Sequence, residues 1–253
     1  MRRTGFFLAL VSVLLLALPA VAQEEPGVIS QVYVVKPKAG MTQQFEEALK
    51  QHRDWLRQQN ETWTWRVWQT VAGEDLGQYV IGSSGHRFED FDAHAELAQA
   101  NRARWIANVA QYVESISGSL RVYRADISRP PERGAPISLI WVSEIHLHVG
   151  TEDTFNYAAK KIDEAIEKTN WPVHYSWSQV IAGGPTPKFI LVEPSENWAG
   201  FKGPEKRFRV MLEEAYGREE AEALLKLFRE ITKSETSRIS SYRPDLSYVP
   251  AGP

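Results

Sequence analysis

Residues 32–91 recur without a gap as residues 142–201, and no other feature of the chain restricts its fold so tightly. Ten of the sixty aligned pairs are identical, among them Gly40/Gly150, Phe45/Phe155, Ala48/Ala158, Asn60/Asn170, Gln69/Gln179 and Gly73/Gly183. The repeat gains nine residues in its second helical region and then closes on a shared hexad. Tyr123-Arg124-Ala125-Asp126-Ile127-Ser128 answers Tyr242-Arg243-Pro244-Asp245-Leu246-Ser247. Both ends of the unit are therefore copied, and the chain folds as two similar halves.

Patterning within one copy supplies the elements. β-branched and aromatic runs predict strands at 28–36, 63–71 and 78–83, and a fourth at 119–126. Phe45, Ala48, Leu49, His52 and Leu56 share one face of a helix over 42–60. A short helix at 86–95 leads into a longer one reaching about residue 115. The order β-α-β-β-α-β is the ferredoxin-like arrangement. The second copy repeats it with strands at 138–148, 172–181 and 188–193 and a helix at 152–169. The fold class is α+β: two fused ferredoxin-like units, 28–128 and 137–249, joined by a Pro-rich linker at 129–136.

Residues 1–22 read as a signal peptide: Arg2-Arg3, an apolar core from Phe6 to Leu18, and Ala20-Val21-Ala22 before a cleavage point. The mature chain is then secreted or periplasmic and carries no transmembrane segment. It has no cysteine, so neither disulfides nor a thiol nucleophile enters the chemistry. A net charge of −3 without any Lys/Arg run excludes a general nucleic-acid binder. A phosphate-cradling Gly-rich loop, a Gly-x-Ser-x-Gly elbow and a His-Glu-x-x-His helix are all missing.

Two such units in one chain resemble the dimeric α/β-barrel superfamily. The stretch from Tyr79 to His94, YVIGSSGHRFEDFDAH, is similar to the strand-into-helix segment of its antibiotic-biosynthesis-monooxygenase and NIPSNAP-type members. The resemblance implies an intramolecular pseudo-dimeric barrel, a cavity between its two sheets, and monooxygenase-like activity on a small organic ligand. Haem-degrading relatives use a histidine near the place of His94, which implies haem as a cofactor alternative.

The residues suggest three places for chemistry. Trp65 and Gln69 share one strand face, and Tyr175, Trp177 and Gln179 share its duplicate, with Arg66 on the opposite face. Together with Glu193 and His94 they form a candidate ligand-binding set, since aromatic walls with a few polar groups suit a flat organic molecule. Glu144, His146 and His148 alternate along one strand at metal-ligand spacing, with His174 as a further ligand, so a divalent metal is the second candidate. The third reading is a non-catalytic binding or scaffolding protein. Positions where the copies differ, Val34/Glu144, Lys36/His146, Thr64/His174 and Ser83/Glu193, point to the second half as the seat of any chemistry.

Overall fold

The structure is a computed structural model and describes residues 27–250. The expected signal peptide, residues 1–22, lies outside them. The first half comprises β1 (Ile29–Pro37), α1 (Thr42–Gln58), β2 (Arg66–Ala72), β3 (Tyr79–His86), α2 (Phe88–Ala93), α3 (Ala95–Asn108) and β4 (Val113–Tyr123). The second comprises β5 (Leu139–Leu147), α4 (Glu152–Lys168), β6 (Ser176–Ala182), β7 (Lys188–Ser195), α5 (Phe208–Tyr216), α6 (Arg218–Ile231) and β8 (Thr232–Tyr242). All strand pairs are antiparallel and close into one ring, β1-β3-β2-β8-β5-β7-β6-β4. Each half contributes four neighbouring strands in the same order, β4-β1-β3-β2 and β8-β5-β7-β6. The β2–β8 and β4–β6 pairs join them.

Several identical positions of the repeat turn out to be backbone requirements. Asn60 and Asn170 both take positive φ, 53° and 47°, just past the ends of α1 and α4. Asn is the residue other than Gly that tolerates this region best. Gly73 and Gly183 also take positive φ, and a Cβ on Gly183 would lie 2.0 Å from the Gly118 carbonyl oxygen.

The two faces of the ring carry different cores. Outside, α1 packs Phe45, Ala48, Leu49 and Leu56 onto Val35, Trp65, Val67 and Tyr79. The counterpart core of the second half is larger, with Phe155, Trp177, Phe189, Met211, Leu212 and Leu224. The difference originates in the helices: α6 buries Ala221, Leu224 and Ile231, whereas no residue of α3 is fully buried. Inside the ring, Val142, Val180 and Ile190 pack together with Ile140 and Val192.

Each half's closing segment completes the core of the other. Ile127 is buried among the second-half residues, and Leu246 and Tyr248 among the first-half residues. Backbone bonds seal both exchanges. Arg129 and Tyr175 exchange N–H···O bonds at 2.8 Å in both directions, as do Tyr248 and Trp65. The repeated Arg-x-Asp pairs hold the segments in place. Arg124 bridges Asp126 at 2.7 Å and donates to Asn156 at 2.8 Å; Arg243 bridges Asp245 at 2.8 Å and reaches Glu46 and Gln69 at 2.9 Å each.

Element boundaries differ from expectation mainly around β4. Its strand begins at Val113 rather than 119, and α3 stops at Asn108. Residues 113–119 are mostly polar, but β1 supplies a full-length pairing partner, from Ile29↔Val122 to Pro37↔Val113. Tertiary pairing here overrides local pattern. The β2 and β6 strands start later than expected, after the bridges at Trp65 and Tyr175.

Candidate ligand-binding site

Because α3 offers no apolar stripe, it cannot close down on the sheet as α6 does, and a cavity of about 400 Å³ remains beneath it. This volume falls within the range of small-molecule sites. The cavity lies between the outer sheet face and helices α1 and α3 of the first half. It is thus neither between the sheets nor in the second half, as the sequence had suggested. The space between the sheets is occupied by the Val142–Val180–Ile190 cluster and by charged side chains described below.

The floor is aromatic. Tyr33 and Trp65 stack with centroids 6.3 Å apart, and Trp63 lies 6.1 Å from Trp65. Gly118 lets Tyr33 lie close to β4, since a Cβ there would come within 3.1 Å of its ring. The wall contributed by the helices holds His52, Leu56, Phe91, His94, Asn101, Arg102 and Trp105.

Behind this wall sits Glu61, only 1 % exposed. His94 Nε2 lies 2.9 and 3.0 Å from its two carboxylate oxygens. The Trp63 backbone N–H also donates to it at 2.8 Å, and the Tyr248 hydroxyl donates to the Glu61 carbonyl at 2.6 Å. Trp63 stacks with two imidazoles, His94 at 4.1 Å and His86 at 3.7 Å. His86 is fixed in turn by Ser83 Oγ at 2.6 Å. A carboxylate that engages Nε2 fixes the ring and leaves Nδ1 as the nitrogen able to exchange a proton. The arrangement can therefore hold a flat molecule and move a proton at its edge.

His52, 5 % exposed, shares a 2.7 Å hydrogen bond with Asn101 Oδ1, and its Nδ1 is buried without a partner. Burial lowers its pKa to about 4, against the hydrogen bond that Nε2 donates to Asn101. The ring is thus neutral near pH 7.

The structure gathers only part of the sequence-derived set. Trp65 and His94 line the cavity. Gln69 sits on the same sheet face, where its amide donates to Tyr79 Oη at 2.9 Å and accepts from Arg243. Arg66 points the other way and is exposed. Tyr175 and Trp177 are buried in the second core, Tyr175 donating to Asp163 at 2.8 Å. Gln179 pairs with Phe189 and Val122 across the sheet, and Glu193 is exposed opposite Trp141.

The metal expectation does not hold. Among the described residues no three His, Asp or Glu side chains come together as a metal site. Glu144 does face into the ring, but it is neutralised by Arg238 at 2.6 Å and Lys188 at 3.2 Å. Burial alone would raise its pKa; these two cations outweigh that and bring it down to about 2. His148 and His174 are exposed, and the pKa of His146 is lowered by burial and by Lys188.

Of the two His94 nitrogens, Nε2 is committed to Glu61, and moving it to an iron would strip a buried carboxylate of one of its two donors; Nδ1 is the nitrogen that could meet a haem iron while Glu61 holds the ring.

Sequence reasoning missed Glu61, His52, Asn101 and Arg102. A signal existed for two of them. Glu61 and His52 stand opposite Trp171 and Ile162 in the repeat, so the first half is polar where the second is apolar.

Comparison with known proteins bears on the fold. No family model and no curated protein sequence matches the chain. Solved structures do. A monooxygenase candidate from Lactobacillus acidophilus superposes with TM-score 0.54 at 8% identity, covering 89% of this chain and 97% of its own. An anthrone oxidase-like protein gives 0.53 at 9% identity, covering 86% and 92%. The chlorite dismutase of Candidatus Nitrospira defluvii, in complex with imidazole, gives 0.54 at 8% identity, covering 88% and 93%. These neighbours belong to the dimeric α/β-barrel superfamily, and the chain shares their mixed α+β, ferredoxin-like architecture. At such identities the likeness is one of fold.

Proposed function

We propose that this chain is an exported protein, two ferredoxin-like units fused into an intramolecular pseudo-dimer, that binds a flat small organic molecule beneath α3. The observation that carries the reading is the cavity of about 400 Å³ floored by Tyr33, Trp63 and Trp65 and edged by the buried Glu61–His94 pair. Aromatic walls with few polar groups provide stacking area and orientation together. Among the described residues no helix is long and apolar enough to cross a membrane.

A monooxygenase-like activity is supported by the monooxygenase and anthrone oxidase-like neighbours and by the acid–base pair at the cavity edge. In that reading the chain's own contribution is to orient the ring on Trp65 and to take a proton at His94. Glu61 stabilises the imidazolium that results. Dioxygen is the oxidant: one of its atoms becomes the new carbonyl oxygen at the oxidised methylene, and the other leaves as water with the two hydrogens lost there.

Oxygen uptake by the full-length chain supplied with anthrone tests this. Uptake that falls by about 100-fold in His94→Gln, the usual scale for a general base, is the expected result. Uptake absent from the unaltered protein, or unchanged in that variant, would remove the catalytic reading. Binding itself is tested by the fluorescence of N-phenyl-1-naphthylamine, which should saturate with the unaltered chain and weaken in Ala98→Trp, where the new ring fills the cavity.

A further inference from the structure

The charged groups around the cavity are all of one sign. Arg53 and Arg102 line it beside the imidazoles of His52 and His94, and among the described lining residues none is acidic. This is notable in a chain with 32 acidic and 29 basic residues. The Glu61 carboxylate lies behind His94, 1 % exposed and hydrogen-bonded to His94 and the Trp63 N–H, and does not line the cavity.

The two arginines differ in their commitments. Arg53 is held by Asp54 at 2.8 Å and by the Asp245 carbonyl. Arg102 stands exposed at the rim of the cavity and takes part in no hydrogen bond or ion pair among the described residues. Two further polar groups on the same side are also without a protein partner: the Tyr33 hydroxyl and the Gln31 amide, both on β1. The charge of Arg102 reaches Tyr33, where it opposes the upward push of burial on the phenol. A guanidinium, a hydroxyl and an amide thus line the same cavity as the stacked Tyr33–Trp65 pair, with their hydrogen-bonding capacity unspent.

We infer that the cavity selects an anionic aromatic, a flat ring carrying an ionised oxygen group that Arg102 receives while Tyr33 and Gln31 bond the same or an adjacent oxygen. This deepens the reading of the cavity as a ligand site and rests on it. A guanidinium at a partly dry rim favours an oxyanion by charge-assisted hydrogen bonding, whereas a cationic ring would meet only like charge. The neutral His52 beneath adds no competing field.

Two fluorescent probes that differ by one group separate this inference from the reading beneath it. One is 8-anilinonaphthalene-1-sulfonate; the other is N-phenyl-1-naphthylamine, the same rings without the sulfonate. With the full-length chain the sulfonate should bind about tenfold more tightly, the factor associated with one charged hydrogen bond. Arg102→Gln should bring the two affinities together, and Arg102→Glu should invert them. The exposed position of Arg102 on a helix that buries no residue makes both variants compatible with folding. Ala98→Trp should weaken both probes alike. If the probes bind equally to the unaltered chain, or the sulfonate keeps its advantage in Arg102→Gln, the charge inference fails. The cavity reading survives in that case, provided Ala98→Trp still weakens both. If Ala98→Trp leaves both probes bound as before, they sit elsewhere and both readings fall.

Discussion

Replacing Glu61 by alanine should destabilise the protein by about 4 kcal/mol. Removing a buried acceptor costs about 1–3 kcal/mol for each donor it leaves without a partner, and more where the acceptor is a carboxylate. Here the side chain is 1 % exposed and serves two donors at once, His94 Nε2 and the Trp63 backbone N–H. An orphaned backbone donor alone costs about 1–3 kcal/mol. For a domain of this size that total corresponds to a melting temperature lower by about 8–16 °C. Urea unfolding followed by tryptophan fluorescence measures the change directly. Glu61→Gln should lose about half as much, because its amide oxygen can still accept from Trp63. His94→Ala should lose several kcal/mol, and the double variant should lose less than the sum, with a coupling of about 1–3 kcal/mol. A loss below about 1 kcal/mol in Glu61→Ala, or strict additivity in the cycle, would show that the pair is not held as described.

Acidification offers a second check. His52 has a folded-state pKa of about 4 against an ordinary 6.5, so the unfolded chain binds the extra proton first as pH falls. Its contribution is complete above pH 6.5 and is lost progressively down to about pH 4, amounting to about 3 kcal/mol. Urea titrations at stepped pH should show that slope, and His52→Gln should remove it. Inside the ring, Glu144→Gln should cost about 3–5 kcal/mol by stranding Arg238 and Lys188, read as a lower urea midpoint.

The strand and helix plan was legible because the duplication displays it twice. α1 and α4 fall at 42–58 and 152–168, and β1 and β5 at 29–37 and 139–147, each displaced by the same 110 residues as the repeat. Asn60/Asn170 and Gly73/Gly183 are identical because their backbone angles leave few alternatives. The cavity was not legible by the same route. It results from what α3 lacks, and whether a polar helix lies flat or stands off depends on partners distant in sequence. Between the copies, the second half gains polar groups at Glu144, His146, His174 and Glu193. Those gains proved to be an ion cluster inside the ring, with His146 half-buried beside it, and an exposed His174 and Glu193. The informative differences ran the other way, at Glu61/Trp171 and His52/Ile162, where the first half gave up packing for polarity.

The exchange of closing segments has a consequence for biosynthesis. The first half leaves the ribosome before the second, yet its core lacks Leu246 and Tyr248 until the chain has been extended by well over a hundred residues. Through that interval Trp65 has no backbone partner at residue 248, and Glu61 lacks the hydroxyl that anchors its carbonyl. The cavity beneath α3, although built almost wholly from residues made early, is therefore among the last parts of the molecule to be completed.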